Sequence, residues 1–266
     1  MPTGAITSHI DVAQIALYLF WAFFLVLVLY LHREGKREGY PLVSDRADAS
    51  GGRVTVEGFP GVPEPKTFLL HTGGSVTVPT PVNERPLAAK PTDGFPGAAL
   101  APTGDPMQDG VGPAAWALRA DVPDMTYDDH VPKIVPLRVA KDFHLAEEDP
   151  DPRGMKVLGA DDVVAGTIVD AWVDRSEILL RYLEAEVPTE AGPKRVLVPM
   201  PLCRITYNRE TGASAVHVRS VLAKHFATAP TTKVPEQITL LEEDRVSAYF
   251  GGGNMYATPE RERSVL

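Results

Sequence analysis

The sequence predicts a single N-terminal transmembrane α-helix followed by a mainly-β domain, with an extended Pro/Gly-rich segment between them and a short helix near the C-terminus. Three observations predict it. Residues 12–31 form an uncharged apolar run, and 25 Pro and 22 Gly among 266 residues interrupt much of the remaining chain. Beyond Lys133, short β-branched apolar runs alternate with turn residues.

The apolar run reads VAQIALYLFWAFFLVLVLYL, with Gln14 its one strongly polar side chain. At about 1.5 Å per residue it crosses a hydrocarbon core of roughly 30 Å. Lipid offers no partner to free backbone N–H and C=O groups, so the segment must be helical. Tyr18, Trp21 and Tyr30 are amphipathic aromatics, and Tyr30 falls where an interfacial ring anchors the end of a span. All 26 Lys and Arg residues lie beyond the run, beginning with Arg33, Lys36 and Arg37. A cleaved signal peptide carries its cations before the apolar stretch, so this segment reads as a retained anchor. Cations on that side place residues 1–11 outside and the remainder in the cytoplasm. The same three cations are positioned to meet anionic lipid.

Residues 32–132 read as an extended segment laid on partner surfaces. Pro and Gly recur through it at a density near that of disordered chains, yet Phe59, Phe68, Leu69, Leu70, Phe95 and Trp116 punctuate it. One hairpin is predicted, from strands at 66–70 and 75–78 around Gly73-Gly74. Residues 133–230 supply strands at 133–139, 163–173, 177–187, 194–198 and 215–221. Turn signals at Asp161-Asp162, 190–193 and 208–212 separate most of them, which argues for a compact antiparallel barrel or sandwich. Residues 231–266 hold a helix, ITLLEEDRVSAYF, with early acids and Gly251-Gly252-Gly253 as its stop; Leu240, Leu241 and Tyr249 are its candidate buried stripe.

The formal charge of −9 disfavours nucleic acid as a partner, and a single Cys203 excludes an internal disulfide. There is no nucleophile elbow, phosphate loop, dinucleotide fingerprint or paired-His zinc motif. The histidines (His9, His32, His71, His130, His144, His217, His225) are scattered, and none pairs at metal-ligand spacing. The remaining candidates are carboxylates beside titratable or basic partners. Asp128, Asp129 and His130 share a loop, and Asp170, Asp174, Glu177 and Arg181 surround a strand-turn-strand. Neighbouring carboxylates hold protons near neutral pH, as a proton relay requires; a solvated acidic loop has the same composition.

Longer strings carry a resemblance: REGYPL (37–42), PKTFLL (65–70), TVP (77–79), APTGDPMQDGVGPAAW (101–116), VDAWVD (169–174), LLEED (240–244) and GGGNMYATP (251–259). Along nearly its whole length the chain resembles the H subunit of the photosynthetic reaction centre of purple bacteria. That resemblance implies a span packed against the L and M subunits, an N-terminus in the periplasm, and a cytoplasmic domain with the small β-barrel called the PRC barrel. It implies a non-catalytic subunit of the intracytoplasmic photosynthetic membrane that caps and stabilises L and M and supplies part of the proton path to the secondary quinone. Bacteriochlorophyll, bacteriopheophytin, quinones, carotenoid and non-haem iron are then held by L and M, and this chain binds no cofactor or metal itself. A cytochrome subunit, light-harvesting antenna and membrane lipids are further expected neighbours.

Position by position, Asp174 and Glu177 match the family's acids nearest the quinone site, with Arg181 their basic neighbour. His130 matches one surface histidine of the proton intake. The stretch MTYDDHVPK lacks a second His two residues earlier, leaving Asp128 or Asp129 to take its place. That departure leaves a transition-metal inhibition site, found there in some members, without its second imidazole. Glu242 or Glu243 resembles a further acid near the path. The rival expectation is a membrane-tethered adaptor or regulatory protein that reuses a PRC-type barrel outside photosynthesis.

Overall fold

The computed structural model describes residues 4, 6–7, 11–40, 42–47, 53–71, 73–80, 85–95, 98–207 and 214–263. His9 and the turn expected at 208–212 lie outside the described residues. The chain divides into two compact units, Met1–Pro86 with Asp93–Ala99, and Leu87–Thr92 with Leu100–Leu266.

The first unit begins with α1 (Val12–Gly35), one turn longer than the apolar run. Asp11 caps it by accepting the Gln14 backbone N–H at 2.7 Å. Leu, Phe and Val side chains are exposed all round this helix, as a lipid-facing surface requires. Its C-terminal cations mostly turn inward. Lys36 is buried and donates from Nζ to the carbonyls of Glu57 and Pro60. Arg37 makes a two-pronged pair with Glu34 at 2.8 and 2.9 Å and donates to the Glu64 carbonyl. Of the three cations expected to meet lipid, only Arg33 stays exposed, because the others satisfy carbonyls further along the chain.

Two hairpins come next, β1 (Leu42–Ala47) with β2 (Arg53–Val56), and β3 (Lys66–Leu69) with β4 (Ser75–Val78). The second is the predicted one. Gly73 and Gly74 take φ of +89° and +86° at its turn, a region where a side chain is strained, and the Thr67 and Thr77 hydroxyls meet across the strands at 2.7 Å. Phe59 and Leu69 are 83% and 88% exposed, a poor state for apolar side chains in water.

The second unit opens with β5 (Ala89–Pro91) paired to β6 (Leu100–Pro102), then a single helical turn α2 (Pro106–Asp109) capped by Asp105. The segment expected to hold one hairpin therefore holds three among its described residues. The first and third were not legible because their strands are short and, in β1, β5 and β6, carry no sustained apolar alternation.

The main sheet contains β7 (Ile134–Pro136), β8 (Lys156–Leu158), β9 (Val164–Asp174), β10 (Leu179–Thr189), β11 (Gly192–Pro199), β12 (Cys203–Tyr207) and β13 (Ser214–Val218). Its order is β11-β10-β9-β8-β13-β12, with β7 beside β9. Every pairing is antiparallel except β8 with β13. Val157, Ile168, Trp172, Leu183, Val198, Val216, Phe226 and Phe250 form its centre. Full burial of a large apolar side chain contributes roughly 1.5–3 kcal/mol.

Helix α3 (Leu240–Tyr256) runs through Gly251–Gly253 instead of stopping there. The glycines serve close packing. A Cβ on Gly252 would lie 2.5 Å from the Ala114 Cβ, and one on Gly253 would lie 2.4 Å from the Ser220 carbonyl oxygen. The buried stripe is Glu242, Val246, Tyr249, Phe250 and Gly253, whereas Leu240 and Leu241 are only half-buried. A short helix α4 (Pro259–Arg263) completes the unit, with Arg261 donating to the Ser220 and Gly253 carbonyls at 2.8 Å.

Candidate functional site

The turn between β9 and β10 gathers a dense set of charges near a surface. Asp174 ends β9 and is fully buried. Its Oδ1 accepts the backbone N–H groups of Ser176 and Glu177, each at 3.0 Å, which is the local bonding that makes Asp favourable at a turn. Its Oδ2 lies 3.3 Å from Arg181 Nε and 3.6 Å from Lys133 Nζ. Glu177, half-exposed, lies 3.6 Å from the same Lys133 nitrogen and 3.9 Å from an Arg181 nitrogen. Burying an uncompensated carboxylate costs several kcal/mol. Two N–H donors offset that cost together with two cations, each cation worth about 4 kcal/mol of Coulomb energy near a surface.

Two backbone irregularities shape this turn. The pairing of β9 with β10 slips between Leu180 and Tyr182, leaving Arg181 as the extra residue. Such a bulge re-aims a side chain, and here it accompanies the approach of Arg181 to Asp174. Ile178 adopts φ of +54° while 75% exposed, a strained state for a β-branched residue with little packing to hold it.

Lys133 and Asp124 belong to the cluster although sequence reasoning missed them; Asp124 Oδ2 lies 3.9 Å from Lys133 Nζ. They face each other at the base of a small ladder. Lys133 N–H donates to the Asp124 carbonyl at 2.8 Å, and Thr126 N–H to the Val131 carbonyl at 2.9 Å. Asp128, Asp129 and His130 occupy the tip of that ladder and are exposed. A cleft of about 580 Å³ lies beside them, lined by Asp128, Asp129, Asp142, Arg175 and Ser176 among others. Asp128 and Asp129 thus share a wall with the turn just after Asp174, whereas His130 lies outside this lining.

The geometry separates Glu242 from Glu243. Glu242 is consumed by structure: its carboxylate accepts the Thr239 N–H at 2.9 Å in a capping box and the Lys233 N–H at 2.7 Å. Glu243 accepts the Tyr182 hydroxyl at 3.2 Å. Burial raises the Glu243 carboxyl above the usual range, against the lowering effects of the Tyr182 hydrogen bond and the Arg181 charge. Burial likewise raises the Tyr182 phenol, with the Glu243 charge adding to it.

Asp170 stands apart from the cluster in which the sequence placed it. It faces Glu184 across β9 and β10, and both are buried. Like charges directly opposite repel. Arg138 bridges them, with Nη1 at 2.9 Å from Asp170 and 2.5 Å from Glu184, while the Trp172 indole donates to Glu184 at 2.9 Å.

One N-terminal helix long and apolar enough to cross a membrane precedes a mainly-β domain of the PRC-barrel class: residues 146–223 match the family model of the PRC-barrel domain. Residues 4–139 match the model described as "Photosynthetic reaction centre, H-chain N-terminal region". That match covers more than half of the chain, which belongs to the photosynthetic reaction centre H-chain family. Members of that family are structural subunits of a photochemical complex and associate with its core subunits.

Proposed function

We propose that this chain caps the L and M subunits on the cytoplasmic side and passes protons toward the secondary quinone, without catalysing a reaction itself. The observation that carries this reading is Asp174: a fully buried carboxylate joined through Lys133 and Arg181 to the half-exposed Glu177. Reduction of a quinone to its quinol consumes two protons, and a buried site receives them only through titratable side chains and ordered water. Asp128, Asp129 and His130 collect protons at the surface, Glu177 and Asp174 hold them further in, and Arg181 limits the repulsion between the two acids. Glu243, its proton held more firmly by burial, supplies a reserve beside Arg181. Glu242, fixed in its capping box, takes no part.

In this reading the span places its N-terminus in the periplasm and the β-domain in the cytoplasm, within the intracytoplasmic photosynthetic membrane. The pigments, quinones, carotenoid and iron sit on L and M. The exposed Phe59, Leu69 and Leu70 support an apolar contact with them, and a cytochrome subunit and antenna lie beyond. The core assignment predicts that a near-infrared pigment spectrum follows this chain through detergent chromatography; a colourless chain overturns it. For the proton path, Glu177→Gln slows the second electron and proton transfer after flashes, and unchanged kinetics remove Glu177. The double change of Asp129 and His130 to Ala slows proton uptake at high pH; no effect moves the intake elsewhere.

A further inference from the structure

We infer that Lys133 is the positioning residue of this acid cluster, coupling the surface loop to the inner carboxylates and setting the pH range over which they carry protons. The inference rests on the proton-path reading above and adds a residue to it. Three observations converge on Lys133. Its ammonium is placed against three carboxylates at once, at 3.6 Å from Asp174, 3.6 Å from Glu177 and 3.9 Å from Asp124. Its side chain is only 19% exposed and Asp174 is fully buried, so water screens the contact between them weakly. Its backbone is held on both sides, since its N–H donates to the Asp124 carbonyl and its carbonyl accepts the Arg175 N–H at 2.9 Å.

The second of those backbone bonds ties the base of the ladder to the β9–β10 turn. The tip of that ladder carries Asp128, Asp129 and His130, and the turn carries Glu177. A displacement of either element therefore moves Lys133 relative to the acids it binds. The charged groups around the ammonium are Asp124 before β7, Asp174 at the end of β9, Glu177 in the turn and Arg181 on β10; Glu243 on α3 acts through Arg181 and Asp124. Asp124, Asp174 and Glu177 thus share two cations, Lys133 and Arg181. Removing Lys133 leaves Arg181 alone, so the carboxylates release their protons less readily.

The test uses the intact pigmented complex and follows flash-induced proton uptake from pH 6 to 10. Lys133→Met slows the proton-coupled step at neutral pH and displaces its alkaline fall-off upward by about one pH unit. Lys133→Arg keeps the charge and returns the fall-off to its original position. Asp124→Asn, a half-exposed site, displaces the fall-off in the opposite direction and serves if Lys133→Met does not assemble. A slowed step with an unmoved pH profile, or an Arg variant no better than Met, makes Lys133 merely structural and overturns the proposal. Unchanged kinetics in Lys133→Met alongside slowed kinetics in Glu177→Gln overturn the role of Lys133 and leave the wider path standing. Unchanged kinetics in both overturn the path itself.

Discussion

Asp170 and Asp174 lie four residues apart on β9, yet their surroundings differ in kind. Asp170 sits mid-strand opposite Glu184, under Arg138 and beside the Trp172 indole, with every charge engaged by a short contact. Asp174 sits at the strand end, where its partners stand at 3.3 and 3.6 Å and grade outward to half-exposed Glu177. Tight mutual pairing suits groups that hold two strands together. Looser contacts with a path to solvent suit groups that exchange protons. The contrast teaches that the acids alone do not mark a site; the spacing and exposure of their partners do.

The largest effect expected from this difference is on folding. Arg138→Met leaves Asp170 and Glu184 buried face to face, with Arg195 at 3.6 Å as the remaining cation on Glu184. Breaking a buried pair in this way costs about 3–5 kcal/mol. Arg181→Met leaves the fully buried Asp174 still compensated by Lys133 and two N–H donors, and costs about 1–2 kcal/mol. Urea unfolding of the full chain in detergent measures both, and equal losses would erase the distinction between the two clusters. Trp172→Phe comes next. It removes the indole donor from Glu184 and part of the core packing, at about 1–3 kcal/mol, without altering the kinetics of proton uptake. A changed uptake rate would instead draw Glu184 into the path.

Much of this was legible in advance because it is local. The span, β9, β10, β11 and β13 come from apolar runs bounded by turn residues, and Asp174, Glu177 and Arg181 come together because one turn joins their strands. Lys133 and Asp124 were not legible, since they reach that turn only through the pairing of Ile134 with Asp174, forty residues along the chain. The separation of Asp170 from Asp174 depends on Arg138, which no local pattern assigns to it. Short β8 and β12 were missed for a similar reason: β8 gains its place by parallel pairing with β13, a long-range contact without a sequence period. The glycine run in α3 misled because glycine usually ends helices, whereas here its missing side chain admits Ala114 and Ser220.

Ile178 offers a smaller test of the turn. Its left-handed backbone costs roughly 1–2 kcal/mol in a residue with a Cβ, and its exposed side chain returns little packing. Ile178→Asn, which tolerates that conformation, is expected to stabilise the isolated chain by about 1 kcal/mol. A higher melting temperature in detergent checks this, and a fall would mean that the side chain packs more than its exposure indicates. Comparison with the assembled complex sharpens the result: a gain in the chain and a loss in the complex would identify Ile178 as a contact kept at the expense of local strain.

The smallest effect concerns the turn-side acid that burial perturbs. Glu243 in the folded chain keeps its proton above the ordinary carboxylate range, because desolvation outweighs the Tyr182 hydroxyl and the Arg181 charge. Between the ordinary range and that raised value, the native chain binds this proton and the unfolded chain does not. Stability contributed by Glu243 therefore falls as pH rises through that window, and is constant below and above it. Glu243→Gln removes this slope while keeping an acceptor for Tyr182. Thermal melts of the full chain from acidic to neutral pH should be flatter for the variant than for the native chain. An identical slope would place the bound proton elsewhere, and would remove Glu243 as the reserve beside Arg181 while leaving the contrast between Asp170 and Asp174 intact.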